Sequence, residues 1–189
     1  MTKRALKLRA IAAMLGSTVM IATQAMAADE IFLKLLDVQG DSTDAAHPNE
    51  IIVTSYSQSV SNTATFDGGA SIGKAMCGDI IITKPIDRSS PSLILKVLTG
   101  TNIPSGTLSF RRAAQSNNAK SADYYTVQLT NVFVTAVEQT SNATTASGVV
   151  ELIKLKARTF RLSYTPQAAN GQPGTPQTFG FDCLNNQRL

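Results

Sequence analysis

Few residues in this chain are equipped for chemistry. His47 is the only histidine and stands beside Pro48 in a polar stretch. Acyl transfer of the Ser-His-Asp kind needs a nucleophile, such a base and an orienting acid converging in space. Serines abound, yet no Gly-x-Ser-x-Gly elbow presents one, and His47 reads as an ordinary surface residue. A zinc site built on His47, Cys77 and Cys183 falls one ligand short of the usual structural four. Asp37, Asp41 and Asp44 imitate a calcium loop only loosely, without EF-hand spacing or its terminal Glu. There is no P-loop and no dinucleotide glycine pattern. These residues point to a protein with no catalytic group, no metal and no cofactor.

Two other groups carry more. Lys154, Lys156 and Arg158 alternate with Ile153, Leu155 and Ala157, and alternate strand positions point the same way. The plain reading is a solvated outer face. The sharper one sets the three charges along a channel or subunit contact opposite acidic groups, where complementary charge selects register and partner. Arg111 and Arg112 are adjacent, so only one could join such a patch. Cys77 and Cys183 are the only cysteines. An even count in an oxidising compartment favours a disulfide, and closing so long a loop is worth up to about 4.7 kcal/mol in chain entropy. Two buried free thiols are the alternative.

The oxidising compartment is inferred from the first 27 residues. Lys3, Arg4, Lys7 and Arg9 precede an uncharged run over 10–23, and Ala25-Met26-Ala27 has the small-x-small form that signal peptidase accepts. Cleavage is expected between Ala27 and Ala28. The apolar run is shorter than the roughly 20 residues of a membrane span and is interrupted by Gly16, Ser17 and Thr18, so the leader is expected to leave and the protein to be secreted or periplasmic. Of the 17 Lys and Arg, 4 leave with it, so 13 basic residues remain against 13 acidic ones. Nucleic-acid binders carry a clear basic excess; this mature chain has none.

The remaining 162 residues suffice for one domain, 28–189. β-branched runs broken by Gly, Pro, Asn and Ser predict a mainly β fold, with strands over 31–36, 50–61, 78–84, 106–113, 124–137, 149–165 and 178–184. The stretches 115–123 and 140–148 read as loops, and 62–73, with Gly68-Gly69 inside it, as a long loop or flexible hairpin outside the core. One helix is signalled by Ser90 as cap, Pro91 at its first position, an apolar face of Leu93, Ile94, Val97 and Leu98, and Gly100 as stop. In the strand over 149–165 the apolar phase slips by one residue, from Ile153, Leu155 and Ala157 to Phe160, Leu162 and Tyr164. A bulge near Arg158-Thr159 would absorb the slip and bend the strand.

Read in order, these segments resemble the Hcp family, the tube proteins of type VI secretion. The resemblance rests on Ile31-Phe32-Leu33-Lys34-Leu35 with Gly40-Asp41-Ser42-Thr43-Asp44 and His47, and on Glu50-Ile51-Ile52-Val53. Its most specific block is Thr83-Lys84, Asp87, Ser90-Pro91, Leu93, Gly100, Ile103-Pro104, Leu108 and Arg111-Arg112-Ala113. Tyr164-Thr165-Pro166-Gln167 and Gly180-Phe181-Asp182 complete it. Tyr56 and Phe181 stand where the family usually has tryptophan. The resemblance implies a closed β-barrel of two sheets with one flanking helix, and a six-membered ring that stacks into a tube. It also implies a VgrG spike and effector proteins as partners, effectors carried in the ring lumen, and no catalysis. The 62–73 loop would reach toward a neighbouring ring. A secretory leader is foreign to that family's usual route, so an exported binding or adhesion module that keeps the barrel and works alone is the competing expectation. A secreted toxin or hydrolase would rest only on His47 and scattered serines.

Overall fold

The computed structural model describes residues 29–66, 71–112, 122–141, 148–168 and 172–189. The expected leader, its cleavage point at Ala27 and Ala28, and Gly68-Gly69 lie outside them. Eleven strands and one helix are present in the described chain: β1 (Glu30–Leu35), β2 (Ile51–Val53), β3 (Ser55–Ser61), β4 (Ala64–Thr65), β5 (Ser71–Ile72), β6 (Met76–Pro85), α1 (Ser90–Thr99), β7 (Ile103–Arg111), β8 (Asp123–Ser141), β9 (Val149–Tyr164), β10 (Gln177–Asp182) and β11 (Gln187–Arg188). The fold is mainly β. All ladders are antiparallel, and residues such as Leu33, Ile51, Ile82, Leu108, Val127 and Leu155 fill one core at zero exposure.

The expected closed barrel of two sheets needs correction. Nine strands form one sheet, running β11-β10-β9-β8-β7-β1-β2 with β6 on β9 and β3 on β6, while β4 and β5 make a separate hairpin. Among the described residues this sheet is not closed. The single strand expected over 50–61 breaks at Thr54, whose N–H and hydroxyl both donate to the Thr83 carbonyl at 2.8 and 3.0 Å. Before Thr54 the chain pairs with β1, after it with β6. The inward phase changes there too, from Ile51 and Val53 to Tyr56 and Gln58, which explains why the apolar residues of this stretch share no single face.

The phase slip in β9 lies where the sequence places it, by a different device. Glu151, Ile153 and Leu155 are buried before it, and Phe160 after it. The ladder with β8 pairs Thr130 with Thr159 and Val132 with Ala157, so no extra residue is inserted at Arg158-Thr159. Instead β8 slips in step, from Val127 and Leu129 to Val132 and Val134. Asn131, between them, adopts a left-handed φ of 48°, a conformation Asn tolerates better than most residues. The bulge itself sits four residues further on, between Val134 and Ala136.

The alternation of β6 carries Lys84 inward along with Ile80 and Ile82, and register places it opposite Glu151 of β9. Both are fully buried. The Lys84 ammonium donates to Glu151 (2.5 Å) and Ser90 Oγ (3.0 Å), and lies 2.8 Å from Asp87 Oδ1. Ser90 donates to Glu151 (2.6 Å) and Gln139 Nε2 to the other carboxylate oxygen (2.7 Å). Burial by itself would push the Glu151 carboxyl up; the hydrogen bonds from Lys84, Ser90 and Gln139 outweigh it and hold it below the usual range. Ser90 is therefore the first helical residue and an anchor, and does not cap α1; Ser89 occupies the cap position without a side-chain capping bond. Gly100 closes the helix at φ 61°, which a Cβ would disfavour. Of the expected apolar helix face, Leu93 is buried, but Leu98 is 79% exposed.

Removing one partner of a buried pair leaves an uncompensated charge. Glu151→Ala is expected to cost about 3–5 kcal/mol, read from the urea midpoint of unfolding. Lys84→Met combined with Glu151→Met should cost clearly less than the two single changes added together. Strict additivity would show that the two groups do not act as a pair.

Candidate functional site

The segment after β1 folds back over the outer face of the sheet. Gly40 N donates to Asn49 O (2.8 Å) and Ser42 N to Glu50 O (3.0 Å); a Cβ on Gly40 would sit 2.4 Å from the Glu50 carbonyl oxygen, so only glycine fits this close approach. Asp44 Oδ1 accepts the N–H groups of Ala46 and His47, at 2.8 and 3.1 Å. This turn lays His47 flat on Phe32, ring centroids 4.3 Å apart. Contrary to the sequence reading, His47 is no surface residue: 6% exposed, it bonds Glu50 through Nδ1 (2.9 Å) and Asp123 through Nε2 (3.1 Å). Both ring nitrogens are committed to carboxylates, so neither is available to take a proton from a serine.

Arg111 completes this cluster. Its guanidinium grips Asp44 with two bonds of 2.7 and 3.1 Å and lies 5.2 Å from the Phe32 ring centre, while Arg112 turns the other way to stack on Tyr124 at 4.5 Å. The two arginines do part to opposite faces. Asp41 pairs with Arg88 at 2.6 Å and Asp44 with Arg111, and Asp37 sits in a left-handed turn. Asp41 and Asp44 of the loose calcium pattern are thus paired with different arginines.

The row Lys154, Lys156 and Arg158 does share one partly exposed face, and each charge has an acid on a different neighbouring strand. Lys154 meets Glu138 of β8 (2.9 Å), Lys156 meets Asp79 of β6 (3.5 Å), and Arg158 meets Asp182 of β10 (3.4 Å). The row is a set of cross-strand ties within the subunit. Cys77 and Cys183 are joined by a disulfide, with Cα atoms 6.0 Å apart across 106 residues of sequence.

Large apolar side chains stand exposed elsewhere. β3 and β6 run out beyond the body as an arm, continued by the β4–β5 hairpin, which pairs Ala64 with Ile72 and Thr65 with Ser71. Val60, Phe66, Ile72 and Met76 on this arm are each 64–79% exposed. A second apolar area is a groove of about 470 Å³ beside α1, lined by Ile86, Pro91, Ile94, Leu95 and Leu98. The sequence reading took 62–73 as a small, polar loop or flexible hairpin; the described β4–β5 pairing is such a hairpin, but the exposed apolar side chains of Phe66 and Ile72 were overlooked. Among the described residues, no helix is long and apolar enough to cross a membrane, and no group of three His, Cys, Asp or Glu side chains could hold a metal.

The Asp44–Arg111 contact has a pH signature. Hydrogen bonds from Arg111, then from the Ala46 and His47 amides, lower the Asp44 carboxyl from 3.8 to about 2. Its folded value lies below its unfolded one, so its contribution is full above about pH 4 and fades as pH falls through about 2. Arg111→Gln should flatten the stability curve between those limits, measured by urea unfolding at several pH values. An unchanged slope would contradict the assignment.

Comparison with known proteins agrees with this architecture. Residues 32–167 match the family described as type VI secretion system effector, Hcp. Protein hcp1 of Pseudomonas aeruginosa is 31% identical over 160 residues, spanning 83% of this chain and 96% of its own. A solved type six secretion system protein superposes with a TM-score of 0.78 at 25% identity, over 86% of this chain and all of its own. Hcp1 from Salmonella typhimurium shares the fold, with a TM-score of 0.68 at 24% identity over the same shares. From the β1 strand through the long β8–β9 hairpin, the chain belongs to the Hcp family, structural tube proteins of type VI secretion and not a family of enzymes.

Proposed function

We propose that this protein is a ring- and tube-forming subunit that reaches an oxidising compartment, and that its arm is the surface by which rings stack. The single observation that carries the reading is the arm: four large apolar side chains stand exposed on a projecting hairpin of a chain whose relatives are tube proteins. A monomer gains nothing from such exposure, whereas a subunit covers it on assembly. Effectors in the lumen and a VgrG spike at the tip are the partners this role carries with it. No catalytic residue, metal or cofactor enters the role.

A second reading has its own support. A secretory leader and a disulfide suit an exported module that keeps the Hcp fold and works alone in the periplasm or outside the cell. The two readings differ in mass. Native mass spectrometry or sedimentation velocity of the processed, oxidised protein is expected to show a six-membered ring; a strict monomer at high concentration favours the second reading.

Within the first reading, Phe66→Asp with Ile72→Asp should weaken ring-on-ring association by at least about tenfold, as loss of anchoring apolar side chains does. Far-ultraviolet circular dichroism should stay unchanged, since both residues lie outside the core. Wild-type stacking by the double variant would remove the arm from the interface.

A further inference from the structure

One edge of β9 is occupied by two strands in succession. β6 pairs with 150–155 and β10 with 159–164, so the edge changes partner at 156–158. The start of β6 and the end of β10 meet at this handover, and there Cys77 is bonded to Cys183. Upstream of Ile80, β6 has only β3 beside it, in a ladder interrupted between Gln58 and Val60. The outer part of the arm therefore has no ladder to the body. Its polar ties among the described residues run through one small area. Lys156 Nζ donates to the Cys77 carbonyl (3.0 Å) and approaches Asp79 (3.5 Å), and Ala75 N donates to Asn186 Oδ1 (3.1 Å). Lys156 and Asp79 are 52% and 38% exposed, and ion pairs so exposed to water are weak. Among these ties the disulfide is the covalent one.

We infer that the Cys77–Cys183 bond is a redox lock that holds the arm in its assembly-ready attitude. Closing it takes two electrons and two protons from the two thiols and passes them to an external disulfide, which leaves as two thiols; a dithiol reductant reverses the exchange. Both cysteines are only half-buried. A groove of about 510 Å³, lined by Phe133, Lys156, Arg158 and Leu184, opens beside Cys183 and admits such a reagent. In a reducing cytoplasm the lock stays open, and it closes in an oxidising compartment. Assembly thereby waits for export. The inference rests on the arm being the assembly surface.

The test compares the oxidised protein, the same protein treated with dithiothreitol, and a Cys77→Ser, Cys183→Ser double variant. Amide hydrogen exchange and sedimentation velocity are read on each. Without the bond, exchange at 72–79 should rise by at least about tenfold while core amides such as Val127 and Leu129 keep their rates, the pattern of a local opening. The assembled species should vanish in parallel. Unchanged arm protection would overturn the lock. So would acceleration of arm and core by one common factor, the mark of a plain stabilising crosslink, or full assembly by a protein whose arm has loosened. An oxidised protein that is monomeric counts against the assembly reading itself, and the exchange data still decide whether the bond holds the arm.

Discussion

Lys84 and Glu151 face each other across β6 and β9 with neither side chain reaching solvent, and much of the remaining structure hangs on that contact. A buried charge without its partner is too costly to tolerate, so the pair admits one register between the two strands. A shift by one residue would also turn Ile80, Ile82, Ile153 and Leu155 away from the core. Through Ser90 and Asp87 the same cluster holds the start of α1, and through Gln139 it reaches β8. One charge pair thus joins three strands and the helix at a single level.

With β6 fixed on the first half of β9, the second half is left to β10, and the geometry of the change follows. β8 and β9 reverse their inward faces together at Asn131 and Arg158-Thr159, which lets one long hairpin serve two successive neighbours. The disulfide spans the resulting joint. Beyond the joint, β6 has β3 as its one ladder partner among the described residues, and the arm carries apolar residues exposed to solvent.

Charge is used inside the subunit. The His47–Glu50–Asp123 and Arg111–Asp44 contacts pin the returning segment over Phe32, building a small second core on the outer face of β1 and β7. The basic row of β9 ties that strand to β8, β6 and β10 in turn. The cations of these contacts are thus paired within the subunit.

The sequence by itself determined the fold class, the family blocks, the single helix with its glycine stop and the place of the slip in β9, because these depend on local alternation and on residue types a few positions apart. Tertiary structure decided the rest. Nothing near Lys84 in the chain announces that its partner lies 67 residues away, although the alternation of Ile80 and Ile82 does point it inward. His47 looked like a loop residue because its burial comes from Phe32 and Asp123, both distant in sequence. The break at Thr54, the open sheet and the step shared by β8 and β9 arise from the choice of strand neighbours, which local pattern leaves undetermined. The meeting of Cys77 with Cys183 at the joint between two strands is likewise a fact of packing, since 106 residues of spacing carry no information about distance.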